Sequence, residues 1–253
     1  MTAVADSTRY PLVLDDVLGW FSPLDQGLFG WFLTRQNDRG ERGDLLEMGV
    51  YMGKSAIFLG EHLKRGETFT VCDLFESPAS DDANNAEIAQ YHPSVSREAF
   101  EHNYLSFHDE LPRVLQASTS VVPHEVAPAS CRFVHIDASH LYEHVSGDIA
   151  AARDAVLPTG LVVLDDFRAK HTPGVAMATW ETVLLHGLRP ICLSEDKFYG
   201  TWGDPEPVQE ELVAMLRERH DCSLTLEVAG GHRIVRTDML GAGAQHTTAP
   251  SSH

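Results

Sequence analysis

The chain has 253 residues, 43% hydrophobic and 22% charged, with 19 glycines, a composition of soluble globular proteins and not of fibrous or disordered ones. Nineteen Lys and Arg stand against 37 Asp and Glu, a formal net charge of −18, and such a surface repels nucleic-acid phosphates and anionic membranes. Protonating all 14 histidines leaves the balance negative, so neither nucleic acid nor a membrane is an expected partner.

No apolar run approaches the roughly 18 residues of a membrane span. The opening MTAVADSTRY lacks the basic cluster and apolar core of a signal peptide, so a cytoplasmic location is expected. Cys72, Cys131, Cys192 and Cys222 lie far apart without metal-finger or redox-pair spacing, and read as buried free thiols.

Residues 1–10 read as a loose leader. A helix is predicted from Ser22-Pro23 to about Arg35, with Ser22 as cap and Pro23 at the first helical position, where its missing N–H is not needed. Alternation then begins: a strand over 44–50, a helix over 54–65 and a strand over 67–75. A polar stretch follows from 76 to about 94, ending in a helix that reaches His108, with a short strand near 114–118. Next come a strand over 131–137, a helix over 141–156 and a strand over 161–167. Short β-rich runs separated by helical periods are the signature of crossovers on a parallel sheet, so the fold class is α/β, a Rossmann-like, doubly wound and mostly parallel sheet.

Later segments are an amphipathic run over 174–186, strands over 189–195 and 197–202, a helix over about 205–219, and a hairpin over 223–237 with Gly230-Gly231 at its turn. Which late strands close the main sheet stays open. The chain divides into a helical extension (1–40), a main domain (41–240) and a flexible tail (241–253).

The strongest chemical signal is Glu47-Met48-Gly49-Val50-Tyr51-Met52-Gly53-Lys54-Ser55, where the first strand turns into a helix. Two positions without side chains let a ligand approach the backbone, and the helix start offers unpaired N–H groups. The spacing is neither the dinucleotide fingerprint nor the phosphate loop, and Glu47 would repel a phosphate, so a cationic ligand fits better. Asp73 ends the second strand about twenty residues on, where a carboxylate can accept from a ribose diol. Gln116-Ala117-Ser118 would follow the third strand, against the adenine.

Two hydrophobic strands end abruptly in acid, FVHIDASH at Asp137 and LVVLDDF at Asp165 and Asp166. One crossover separates them, so in a parallel sheet both ends open on the same edge. Three converging carboxylates are unfavourable without a cation, and an oxygen-seeking divalent ion such as Mg²⁺ would satisfy them.

The E-x-G-x-x-x-G-x-S turn resembles the first motif of class I S-adenosylmethionine methyltransferases. FVHIDASHLYE with LVVLDDF is similar to the metal-dependent O-methyltransferases acting on sugars of macrolides and aminocoumarins, on antibiotic precursors and on mycobacterial methylmannose polysaccharide. The likeness runs from about Asp44 to Asp166, and KFYGTWG also belongs to it. It implies S-adenosylmethionine held by Glu47, Gly49, Tyr51, Gly53, Ser55, Asp73, Ser118 and Asp137, and Mg²⁺ held by Asp137, Asp165 and Asp166.

His140 is the leading candidate base and His144, one helical turn on, the substitute. Some relatives carry an acid two residues after the first metal aspartate, where this chain has Ser139. A histidine beside so many carboxylates is drawn toward its protonated form, which complicates its use as a base. The implied reaction is methylation of a sugar hydroxyl, in polysaccharide or glycosylated natural-product biosynthesis, by a homodimer or larger homo-oligomer. The second reading is a catechol-like or antibiotic small molecule. A metal-dependent hydrolase or oxygenase would use the carboxylates but not the glycine turn, and a non-catalytic cofactor-binding protein would need no cation. Tyr51, Trp180, Tyr199 and Trp202 are the aromatics that could line a sugar or ring pocket.

Overall fold

The computed structural model describes residues 11–91 and 95–241. The expected leader at 1–10, the tail beyond 241 and residues 92–94 of the polar stretch lie outside the described residues. In chain order the elements are α1 (Pro23–Asp38), β1 (Asp44–Met48), α2 (Lys54–Glu61), β2 (Phe69–Asp73), α3 (Asp82–Tyr91) and α4 (Arg97–Leu105). They continue with β3 (Arg113–Gln116), α5 (Val122–Glu125), β4 (Cys131–Ile136), α6 (Tyr142–Ala155), β5 (Val156–Leu164) and α7 (Pro173–Leu185). The chain closes with β6 (Arg189–Leu193), β7 (Phe198–Thr201), α8 (Glu206–Arg217), β8 (Thr225–Ala229) and β9 (His232–Arg236).

The described strands form one sheet in the order β3-β2-β1-β4-β5-β7-β6-β9-β8. β3 to β5 pair in parallel. β7 inserts antiparallel between β5 and β6, and the hairpin joins the edge through a parallel β6–β9 pair. All the late strands thus belong to the main sheet.

Side-chain alternation divides the core into two apolar layers. Leu45, Val71, Phe133 and Val163 face α1, α2 and α8, whereas Leu46, Cys72, Val134 and Val162 face α6 and α7. The N-terminal helix is part of this core: Ser22 Oγ accepts from Asp25 N at 3.1 Å, Pro23 occupies the first turn, and Phe29 packs edge-on against Phe133 and Tyr199. The polar stretch contains a helix, α3, that periodicity does not reveal. Its start is fixed by Asp81, whose carboxylate accepts from Asn84 N at 2.8 Å and whose carbonyl accepts from Asn85 Nδ2 at 2.8 Å.

One buried acid on α6 carries a pH signature. Burial pushes the Asp148 carboxyl up to about 6, against the opposing pull of a Thr119 hydrogen bond and of His144. The folded chain therefore holds this proton more tightly than the unfolded chain, and stability from this group falls as pH rises from about 4 to about 6. Asp148→Asn is expected to be more stable than the parent by about 3 kcal/mol at pH 8, with the gap closing toward pH 4. Urea melts at four pH values check this, and a gap that does not change with pH would contradict it.

Candidate active site

The glycines of the first turn are required by close packing. Gly49 has φ +81°, and a Cβ there would lie 2.0 Å from the carbonyl oxygen of Asp137. The Asp137 loop is tied to the turn by Asp137 N donating to Met48 O at 2.7 Å, and the turn is tied to β2 by Gly49 N donating to Cys72 O at 2.8 Å. Gly53 has φ +93°, and a Cβ there would meet the Phe100 ring at 2.9 Å. Asp73 fastens the same turn: its carboxylate accepts from Val50 N at 2.7 Å, Tyr51 N at 3.2 Å and Phe75 N at 2.6 Å. Tyr51, Phe75 and Asp166 all take left-handed backbone conformations with φ of 49°, 50° and 54°. All three line one cavity at the carboxyl ends of the parallel strands, where strained backbone concentrates in functional sites.

That cavity encloses about 700 Å³, a volume suited to a cofactor together with a small substrate. Gly49, Tyr51, Ser55, Asp73 and Ser118 line one part of it, and Asp137, His140, His144, Asp165 and Asp166 line the rest. Glu47 and Gly53 are not in the lining. The register of β1 on β4 sets Glu47 opposite His135, and the fully buried Glu47 Oε1 accepts from Ser55 Oγ at 2.5 Å and lies 2.7 Å from His135 Nδ1. Glu47 therefore reaches the cavity through Ser55.

The three aspartates meet as expected, with a cation already among them. β7 runs antiparallel to β5 with Phe198 opposite Leu164, which brings Lys197 to Asp165. The buried Lys197 ammonium donates to Asp165 Oδ2, Asp166 N donates to Asp165 Oδ1 at 2.8 Å, and His135 Nε2 lies 4.0 Å from Asp165 Oδ2. Burial pushes the Asp165 carboxyl up, but Lys197 and His135 outweigh it and hold it below the usual carboxylate range. Asp137 goes the other way: burial, then the Asp165 and Asp166 carboxylates, push it well above. Burial disfavours the Lys197 ammonium, yet Asp165, Asp137 and Asp25 hold its pKa above the ordinary lysine value. Asp137, His140 and Asp166 present ligand atoms all within 4.8 Å of one another, as do His135, Asp137 and Asp165. Two such overlapping sets of carboxylates and imidazoles, sharing Asp137, are donors that fit a hard divalent cation.

Both histidines are engaged by acids from the polar stretch. His140 Nε2 lies 3.0 Å from Asp166 Oδ2 and Nδ1 lies 2.9 Å from Glu87 Oε1, while His144 Nε2 lies 3.2 Å from Asp81 Oδ2. Burial lowers the His140 pKa, but Asp166 and Glu87 overcome it and raise it to about 10.

Of the four aromatics that could line a ring pocket, Tyr51 lines the cavity and the other three take the commoner fate of packing elsewhere. Trp180 packs on Phe167 and Phe198, Tyr199 is buried and donates to Asp25 Oδ1 at 2.6 Å, and Trp202 Nε1 donates to His186 O at 3.2 Å. Trp20, 75% exposed and 5.6 Å from the Tyr51 ring, takes their place at the mouth. Lys197, Glu87, His135 and Trp20 are the site residues that sequence reasoning missed. KFYGTWG stood out as a motif, but its lysine has no role until the β5–β7 register is known.

Residues 46–167, just under half of the chain, match the family model described as a methyltransferase domain. Among solved structures, the O-methyltransferase NovP superposes with a TM-score of 0.56 at 20% identity, over 71% of this chain and 81% of its own. A protein from Corynebacterium glutamicum gives 0.54 at 16% identity, over 74% and 84%. CalS11, a TDP-rhamnose 3'-O-methyltransferase of calicheamicin biosynthesis, gives 0.48 at 17% identity, over 72% and 82%. Among curated proteins none matches significantly. No described helix is long and apolar enough to cross a membrane. The matched stretch contains the glycine turn and all three rim aspartates, and the chain shares with NovP an α/β fold of mostly parallel sheet closed by antiparallel strands.

Proposed function

We propose that the chain transfers a methyl group from S-adenosylmethionine to a hydroxyl oxygen of a sugar, in a polysaccharide precursor or a glycosylated natural product, with the help of a divalent cation. One observation carries the reading: the glycine turn with Asp73 and the acid trio with His140 face a single cavity. Gly49, Tyr51, Ser55, Asp73 and Ser118 would hold the cofactor, which supplies an electrophilic methyl on a positively charged sulfur. Asp137, Asp165 and Asp166 would hold the cation, whose charge lowers the cost of an alkoxide developing on the substrate.

This chain's residues then have distinct tasks. Trp20, beside Tyr51, offers a ring face to an apolar sugar face at the mouth. α3 covers the cavity with Asn84 and Ile88, excluding water from a step in which opposite charges cancel. His140 Nε2 would accept the proton of the substrate hydroxyl. Only the neutral imidazole can do this, so Asp166 must be otherwise engaged when the base acts.

Labelled methyl transfer screened over mannosides, other sugars and catechols, with and without chelator, tests the reading. Transfer to a sugar that chelation abolishes is the expected result, and chelator-resistant transfer would remove the cation from it. Asp166→Ala is expected to lower turnover at least ~100-fold while cofactor affinity, read by calorimetry, changes less than ~3-fold.

A further inference from the structure

We infer that Glu87, on α3, is a positioning residue that fixes the His140 imidazole for proton transfer, so the base is assembled only when α3 lies over the cavity. The inference rests on the methyl-transfer reading above. Glu87 is remote in sequence from the acid and histidine rim, yet both of its carboxylate oxygens reach that rim. Its Oε2 accepts from Ser139 Oγ at 2.7 Å, and its Oε1 accepts from His140 N at 2.9 Å and lies 2.9 Å from His140 Nδ1. The carboxylate is largely buried, and α3 carries neighbours that line the same cavity, Asn84 and Ile88. Asp81, just before the helix, reaches His144 in parallel.

Glu87 grips the His140 backbone N–H and Ser139 Oγ and sets a carboxylate oxygen 2.9 Å from Nδ1, while Nε2 lies 3.0 Å from Asp166; an acid so placed orients the ring and favours the tautomer with its proton on Nδ1. Ser139, between Asp137 and His140, is the hydroxyl that clamps the other oxygen. The carboxylate that orients the base thus comes from the covering helix and not from the β4 loop itself. A chain whose α3 has swung away retains the cation ligands and the glycine turn but leaves His140 without its Nδ1 partner.

The experiment is a relocation of charge. Glu87→Gln is expected to lower kcat by roughly 10- to 100-fold with the cofactor KM changed less than ~3-fold. Ser139→Asp alone sets two carboxylates against each other and is expected to lower kcat to a similar extent. The double variant Glu87→Gln/Ser139→Asp returns the carboxylate to the neighbourhood of His140 and is expected to recover to within ~5-fold of the parent. Nitrogen-15 imidazole spectra of the full chain, with and without Glu87→Gln, read the effect of the Glu87 carboxylate on His140 Nδ1 without any turnover. An unmoved His140 resonance would overturn the inference even if the parent transfers no methyl group. So would a kcat within 2-fold of the parent for Glu87→Gln, or a kcat loss matched by an equal rise in cofactor KM.

Discussion

Lys197→Met is expected to destabilise the fold by about 3–5 kcal/mol at pH 8, because it leaves the Asp165 carboxylate buried without its partner. For a chain of this size that is a fall in Tm of roughly 6–20 °C. The sign of its pH dependence follows from the ion pair. In the parent, Asp165 is held below its ordinary range, so its contribution is present above the unfolded pKa and is lost as pH falls through the folded one. In the variant the same carboxyl is pushed up by burial, so the loss grows as pH rises. The gap between parent and variant therefore narrows from pH 8 to pH 5. Mg²⁺ should raise the variant's Tm more than the parent's, since a cation would take over the lysine's role. Thermal melts across that pH range, with Mg²⁺ and with chelator, check both statements, and parallel curves would show that Lys197 acts by packing alone.

Gly49→Ala tests the contact between the two halves of the site. The new Cβ would lie 2.0 Å from the Asp137 carbonyl oxygen, and the residue would be forced to hold φ +81°. Left-handed backbone costs a non-glycine residue about 1–2 kcal/mol, and forcing atoms into a packed site costs about 1–3 more, so a total of about 2–5 kcal/mol is expected. Gly40→Ala is the control, because Gly40 has φ +70° with nothing within 4 Å of the new atom, and should cost only the backbone part. Urea melts give the difference between the two variants. Gly49→Ala should also displace Asp137 and so weaken both cofactor and Mn²⁺ binding, whereas unchanged Mn²⁺ affinity would mean that the β4 loop yields without moving its carboxylate.

The parallel half of the sheet was legible because each of its strands is a short apolar run between helical periods, and the strand ends carry the chemistry at fixed places. Asp137, Asp165 and Asp166 converge for that reason alone. The contact of Glu47 with His135 across the β1–β4 register was not legible, since a single strand does not disclose its neighbour. The polar stretch hid α3 because its stability comes from Asp81 and from docking over the cavity, with only Ile88 and a few alanines as apolar residues. Lys197 was hidden by topology: nothing local states that β7 pairs antiparallel with β5. The aromatics Trp180 and Tyr199 pack in or against the core, the commoner fate of scattered aromatics, while Trp20 precedes the first long helix.

The antiparallel direction of β7 has one more consequence. Parallel strands present their last residues at the rim, so only a strand running against them can deliver its first. The tight turn before it is closed by Ser194 N donating to Lys197 O and Lys197 N donating to Ser194 Oγ, both at 3.0 Å. Positive charge at the rim is thus carried by a short turn buried at both ends, which Phe167 N, donating to Asp196 O at 2.8 Å, ties to the loop that bears two of the carboxylates, so the electrostatics of the pocket and the anchoring of β7 cannot change separately.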